Sequence, residues 1–183
     1  MITYGNPQND RDLEQIIELQ KRNIPENISA QELQREGFVT VHHNLGLLRA
    51  MNEPYGHIVA RDGERIVGYA LTMLRRFEEE IPVLIPMFRE INAFSYCGEL
   101  LGAVDYYIIG QDCVAKGYRG QGVFAGLFDH ARRQMQEHFK YAITQVADRN
   151  PRSIRAHEKV GFRNIHEYDT ATEHWVIMLW DWH

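Results

Sequence analysis

Two glycines one residue apart, Gly120 and Gly122, stand between an extended apolar run at Asp105–Ala115 and a helix-like run that begins at Val123. With no Cβ atoms in the way, main-chain N–H groups in such a turn converge on a small volume beside the positive end of the following helix. The chemistry this suits is phosphate binding through backbone donors rather than through a cluster of lysines. The donors would be the N–H groups of Gln121, Gly122, Val123 and Phe124, with Arg119 adding a planar fork of charge. Taken alone, Gly-x-Gly before a helix also fits a tight turn that holds nothing. Two better-known phosphate loops are ruled out. A Walker-type turn requires Gly-Lys followed by Ser or Thr, and Gly117-x-x-Gly120-x-Gly122 carries its glycines in the wrong order for a dinucleotide fingerprint.

A second constellation lies downstream, from Asn150-Pro151-Arg152-Ser153 to Gly161-Phe162. Asn150 suits an N-cap and Pro151 a first helical position, where its missing N–H is harmless. In a continuous helix, Asn150, Ser153 and His157 stack on one ridge at spacings of three and four, and Gly161 ends the helix. A polar ridge of this kind would line a cleft with hydrogen-bonding groups.

The elements that position these residues follow from periodicity. Ile2–Gly5 suits a short strand, and Leu13, Ile16, Ile17 and Gln20 share a helical face. Ser29 can cap a brief helix over Gln31–Arg35, and Leu45–Met51 suits another. His57–Ala60 and Arg65–Met73 predict a hairpin around Asp62-Gly63. Arg75 to Gly102 is irregular, with Glu78-Glu79-Glu80, two prolines and a helix expected over Met87–Phe94. It reads as a connection that covers apolar surface, at a substrate entrance or as an ordinary packed excursion. Strand Asp105–Ala115, a helix with Phe124, Leu127, Phe128, Ala131 and Met135 on one side, strand Tyr141–Ala147, helix Pro151–Val160 and a final strand pair, Phe162–Tyr168 with Trp175–Trp182, complete a single mixed α/β domain over 1–183.

Composition narrows the function classes. The 183 residues carry 20 Lys and Arg against 25 Asp and Glu, a formal charge of −5 with no basic block, so charge suggests no nucleic-acid partner. No apolar run approaches the roughly 20 residues of a membrane span, and Met1–Pro7 lacks the character of a secretion signal. Only Cys97 and Cys113 are present, which fits a reducing cytoplasm. The histidines show no metal-ligand spacing, so no metal is expected. Trp175, Trp180 and Trp182 suit a core, a homodimer contact or a substrate wall.

The segments Val114-Ala115-Lys116-Gly117-Tyr118-Arg119-Gly120-Gln121-Gly122 and Asn150-Pro151-Arg152-Ser153-Ile154-Arg155-Ala156-His157-Glu158-Lys159-Val160-Gly161-Phe162 together resemble the Gcn5-related N-acetyltransferases (GNAT). The resemblance is strong over Asp105–Phe162 and looser from about Tyr55. It implies a mostly antiparallel, V-shaped split sheet that admits the pantetheine arm of acetyl-CoA between two strands. Backbone near Cys113 and Val114 would pair with that arm, and the pyrophosphate would lie on Arg119, Gly120, Gln121, Gly122, Val123 and Phe124. Asn150 and Ser153 would face the cofactor. Two positions depart from the family pattern: Phe124 stands where Gly or Ala is common, and His157 where tyrosine is usual.

Acetyl transfer to an amine needs a neutral nucleophile, a polarised thioester carbonyl and a stabilised thiolate. His157 is the first candidate for the leaving-group proton, as a neutral donor or a cationic acid, against a simple contact with CoA or a packed helix residue. Asp112 is the candidate base, beside Asp105, the Glu78–Glu80 run and a water relay as alternatives. Gln111 can orient a substrate but not take its proton. Cys113 reads as a buried structural thiol rather than an acyl carrier. The implied activity is transfer of acetyl from acetyl-CoA to a primary amine of a small molecule or peptide. A non-catalytic acyl-CoA-binding or interaction module is the alternative.

Overall fold

The structure, a computed structural model, describes residues 1–24 and 42–183. In chain order the elements are β1 (Ile2–Gly5), α1 (Asp10–Lys21), α2 (Leu45–Met51), β2 (Ile58–Asp62), β3 (Arg65–Met73), α3 (Ile85–Ala93), β4 (Ser95–Tyr96), β5 (Glu99–Leu100), β6 (Tyr106–Val114), α4 (Val123–Met135), β7 (Tyr141–Ala147), α5 (Pro151–Val160), β8 (Arg163–Asp169) and β9 (His174–Asp181). The helix expected over Gln31–Arg35 and its cap Ser29 lie outside the described residues. The fold is mixed α/β, with helices accompanying a mostly antiparallel sheet in which β6 and β7 run parallel. The described chain divides into two compact units. The first is Met1–Thr72 with Gly110–Met135, the second Met73–Ile109 with Gln136–His183, and β6 contributes to both.

In the first unit the strands lie in the order β1-β2-β3-β6. The β2–β3 hairpin turns where the sequence predicts, with Gly63 at φ 59°, a left-handed value that glycine adopts without strain. Nearly the whole of β3 is buried, so its side chains are apolar on both faces. Asn9 caps α1, which buries Leu13, Ile16, Leu19 and Gln20. Leu19 therefore replaces Ile17 on the predicted stripe. Gly68 in β3 lets α4 lie down closely: a Cβ there would stand 3.2 Å from Leu127 Cδ1 and 3.4 Å from Val123 Cγ1. The buried stripe of α4 is Val123, Leu127, Phe128, Ala131 and Met135.

In the second unit β7 pairs with β9 along its full length, from Tyr141↔Asp181 to Ala147↔Trp175, and β8 pairs with β9. The parallel ladder of β6 with β7 covers Tyr106–Ile108 and Tyr141–Ile143, after which the Thr144 hydroxyl donates to the Ile109 carbonyl at 3.2 Å. The irregular connection is well packed, burying Phe77, Leu84, Met87, Phe88, Ile91 and Leu101. Its prolines fall at the starts of helical turns, so α3 begins at Ile85, earlier than the apolar spacing suggested. Glu79 and Glu80 are exposed, as a solvated charge run should be. Trp180 and Trp182 are buried in the closing strand and its end.

Candidate active site

The glycine turn lies wholly within the first unit. Gly120 and Gly122 adopt φ of 72° and 81°, both left-handed, and a Cβ built on either would meet no atom of the described residues within 4 Å. Glycine is therefore required here by backbone conformation and not by crowding from the described residues. The first bond of α4 runs from the Gly126 N–H to the Gly122 carbonyl at 3.0 Å. Helix geometry gives the N–H groups before it no carbonyl of their own helix, and the helix dipole adds partial positive charge. The Gln121 amide folds back to donate to the Gly117 carbonyl at 2.7 Å, bracing the turn. Phe124 stacks on the buried Phe128, with centroids 4.6 Å apart. Two left-handed glycines and a helix N-terminus fit a phosphate.

Arg119 opens the turn, but its guanidinium bonds to protein. Nε donates to the Val114 carbonyl at 2.9 Å and Nη2 to the Asn23 side-chain oxygen at 2.6 Å. The Ala115 N–H donates to the Val67 carbonyl in β3 at 2.8 Å. Because backbone groups alternate direction along a strand, Cys113 shares that β3-facing side, while the N–H and C=O groups of Asp112 and Val114 point away from it. The Cys113 thiol is buried, and burial pushes its pKa up to about 12, outweighing the nearby Arg119. A thiol held that high stays protonated at neutral pH. Asp112 is half-buried on β6, close enough that its charge helps hold up the pKa values of Tyr69 and Cys113, for which burial is the larger cause.

The predicted polar ridge forms in the second unit. The Asn150 side chain caps α5 by accepting the Ser153 N–H at 3.3 Å. His157 Nδ1 lies 2.9 Å from the Ser153 carbonyl and 3.4 Å from its hydroxyl. A carbonyl only accepts, so the proton sits on Nδ1, and the neutral ring presents Nε2 as an acceptor. The side chain is only 1 % exposed and meets Phe162 edge-on at 5.1 Å. Of the two acid forms considered for His157, the neutral donor is thus committed to its own helix, and only the cation could donate from Nε2.

A buried polar group that periodicity did not single out joins α1 to β3 and β6. Tyr69 donates its hydroxyl to Gln111 Oε1 at 2.7 Å, and Gln20 Nε2 donates to the same oxygen at 2.5 Å. Gln20 also bonds His43 twice, through Nδ1 at 2.8 Å and the backbone N–H at 3.0 Å. Burial, with the neighbouring His42, lowers the His43 pKa to about 4. The available signal was Gln20 itself, a polar residue on an otherwise apolar helical stripe. Nothing local pairs it with His43.

The pattern of the Acetyltransferase (GNAT) family matches residues 13–162. The chain belongs to that family. No curated protein matches it in sequence. Among solved structures, the GNAT chain resembles the ribosomal-protein-S18-alanine N-acetyltransferase of Escherichia coli, with a TM-score of 0.63 at 14% identity over 99% of this chain and 94% of that one. It resembles yncA of Salmonella typhimurium, solved with its cofactor acetyl-CoA, with a TM-score of 0.63 at 13% identity over 100% and 94%. Ard1 of Thermoplasma volcanium gives 0.64 at 14% identity over 97% and 95%. At these identities the likeness is one of fold. The GNAT match covers the glycine turn and the helix that carries Asn150, Ser153 and His157. Among the described residues, no helix is long and apolar enough to cross a membrane.

Proposed function

We propose that this GNAT protein is an acetyl-CoA-dependent N-acetyltransferase, a single catalytic domain over 1–183, acting on a primary amine of a small molecule or peptide by direct transfer. The observation that carries this reading is the turn with left-handed glycines at 120 and 122, set at the start of α4 inside the matched segment. Main-chain N–H groups from Gly120 to Phe124 hold the diphosphate, and the Val114 backbone, directed away from β3, holds the pantetheine arm. Asn150 and Ser153 line the cofactor side of α5. Acetyl-CoA supplies an acyl group activated as a thioester. The amine must lose a proton, which at an ordinary pKa near ~10.4 needs an acceptor. Asp112 takes that role, directly or through water. His157 is the candidate for the leaving-group proton, which it can donate from Nε2 only as the cation and only once that buried atom is reached.

The test is thiol release from acetyl-CoA with a pooled panel of primary amines. Amine-dependent release supports the enzyme, and acetyl-CoA binding without release supports a binding module. His157 standing in place of tyrosine is what makes that second reading specific. With the enzyme reading, Asp112→Asn and His157→Phe each lower kcat by about 10²-fold, in the usual range for a general base or acid. Unchanged turnover in either variant removes that residue from the chemistry.

A further inference from the structure

One guanidinium ties together three parts of the first unit. Arg119 is the residue from which the glycine turn departs, its Nε bonds the Val114 carbonyl at the end of β6, and its Nη2 bonds Asn23 just past α1. Asn23 is buried, and its own amide donates back to the Leu19 carbonyl at 2.8 Å in the last turn of α1. One turn earlier Gln20 makes a parallel tie to Gln111 in β6. The peptide plane between Val114 and Ala115 is held at both ends, its carbonyl by Arg119 and its N–H by the Val67 carbonyl. That plane cannot rotate without breaking one of the two bonds.

We infer that Arg119 is a positioning residue, which fixes the Val114 peptide and the end of α1 against the turn and leaves the phosphate to main-chain N–H groups. This rests on the acyl-CoA reading of the turn given above. Two geometric facts favour it over a phosphate contact. Both acceptors lie at ordinary hydrogen-bond distance and are neutral oxygens of the protein, and one belongs to a residue that is itself buried. The arrangement also uses what lysine lacks, a rigid fork that spans two acceptors at once. A lysine would keep the charge for a phosphate and lose the span.

The test measures acetyl-CoA affinity by calorimetry and kcat with acetyl-CoA and the pooled amines. The proteins are Arg119→Lys, Arg119→Gln, Asn23→Ala and the Asn23→Ala/Arg119→Gln double variant. The expected result is a Kd within about threefold of the parent throughout, with kcat about tenfold lower in each single variant. The double variant should fall no more than about twofold below Arg119→Gln, because one interaction has been removed twice. Asn23→Ala leaves the bond to Val114 in place, and so carries the test if the arginine variants fail to fold. A Kd raised about tenfold or more in Arg119→Gln, restored by Arg119→Lys and indifferent to Asn23→Ala, would make Arg119 a phosphate ligand and overturn the inference. Full kcat in every variant with only a lower melting temperature would reduce the arginine to a structural tie, which also overturns it. A parent protein that does not bind acetyl-CoA fails the reading of the turn itself, a result distinct from either.

Discussion

At the scale of single residues, the glycines of the turn are the sharpest features, because at both positions the backbone conformation opposes a side chain. With no atom of the described residues near the Cβ position, Gly120→Ala leaves their packing intact and costs about 1–2 kcal/mol if the left-handed conformation is kept. Acetyl-CoA binding should weaken about tenfold in calorimetry, with the melting temperature lowered by only about 3–7 °C. The buried imidazoles give a second residue-scale prediction. His57 accepts the Thr72 N–H at Nδ1 and donates to the Leu48 carbonyl from Nε2, and burial lowers its pKa to about 4, as it does for His43. The fold holds both rings neutral, whereas the unfolded chain takes up protons near the ordinary value of ~6.5. Their stabilisation is complete above that value and is lost as the pH falls toward 4, approaching about 3 kcal/mol for each ring. Urea midpoints at pH 7 and pH 5 measure it, and equal midpoints would refute it. Residue chemistry was legible where a backbone rule decided it, as at Gly120, Gly122, Asn150 and Gly161. The turning of Arg119 toward Asn23 and the Gln20–His43 pair depend on contacts between residues 96 and 23 positions apart, which local spacing does not encode.

Among the elements, α5 is the most tightly specified. Asn150 caps it, Pro151 opens it, and Gly161 ends it at φ 117°. A Cβ on Gly161 would come within 2.5 Å of Trp180 Nε1, so this glycine is demanded by conformation and by contact together. Gly161→Ala should therefore destabilise by about 3 kcal/mol, lowering the melting temperature by roughly 10 °C. An unchanged melting curve would contradict that packing. Strands and helices with strong local signals were readable to within a residue or two: β7 and α5 match their predicted spans, and the β2–β3 hairpin turns at Gly63. Differences arose where two local rules competed. Val123 rather than Phe124 enters the buried stripe of α4 because Gly68 makes room for it, and Phe124 stacks along the helix on Phe128. Pro86 is tolerated near the start of α3, so that helix begins before the apolar run alone would place it.

For the whole molecule, a family pattern over residues 13–162 and fold likeness over nearly the full chain agree with the order of the two sequence motifs. The acceptor was not legible, since the residues that would choose it lie on connections whose sequences carry no periodic signal. A formal charge of −5 favours a cationic amine only through long-range steering, which added salt should weaken. The proposed function stands on backbone amides at Gly120–Phe124 holding the diphosphate of acetyl-CoA. The most direct measurement is a backbone amide NMR titration of the intact chain with acetyl-CoA. The resonances of Gly120, Gln121, Gly122, Val123 and Phe124 should shift most and saturate together. Saturable binding that leaves those five amides unmoved while others shift would contradict it.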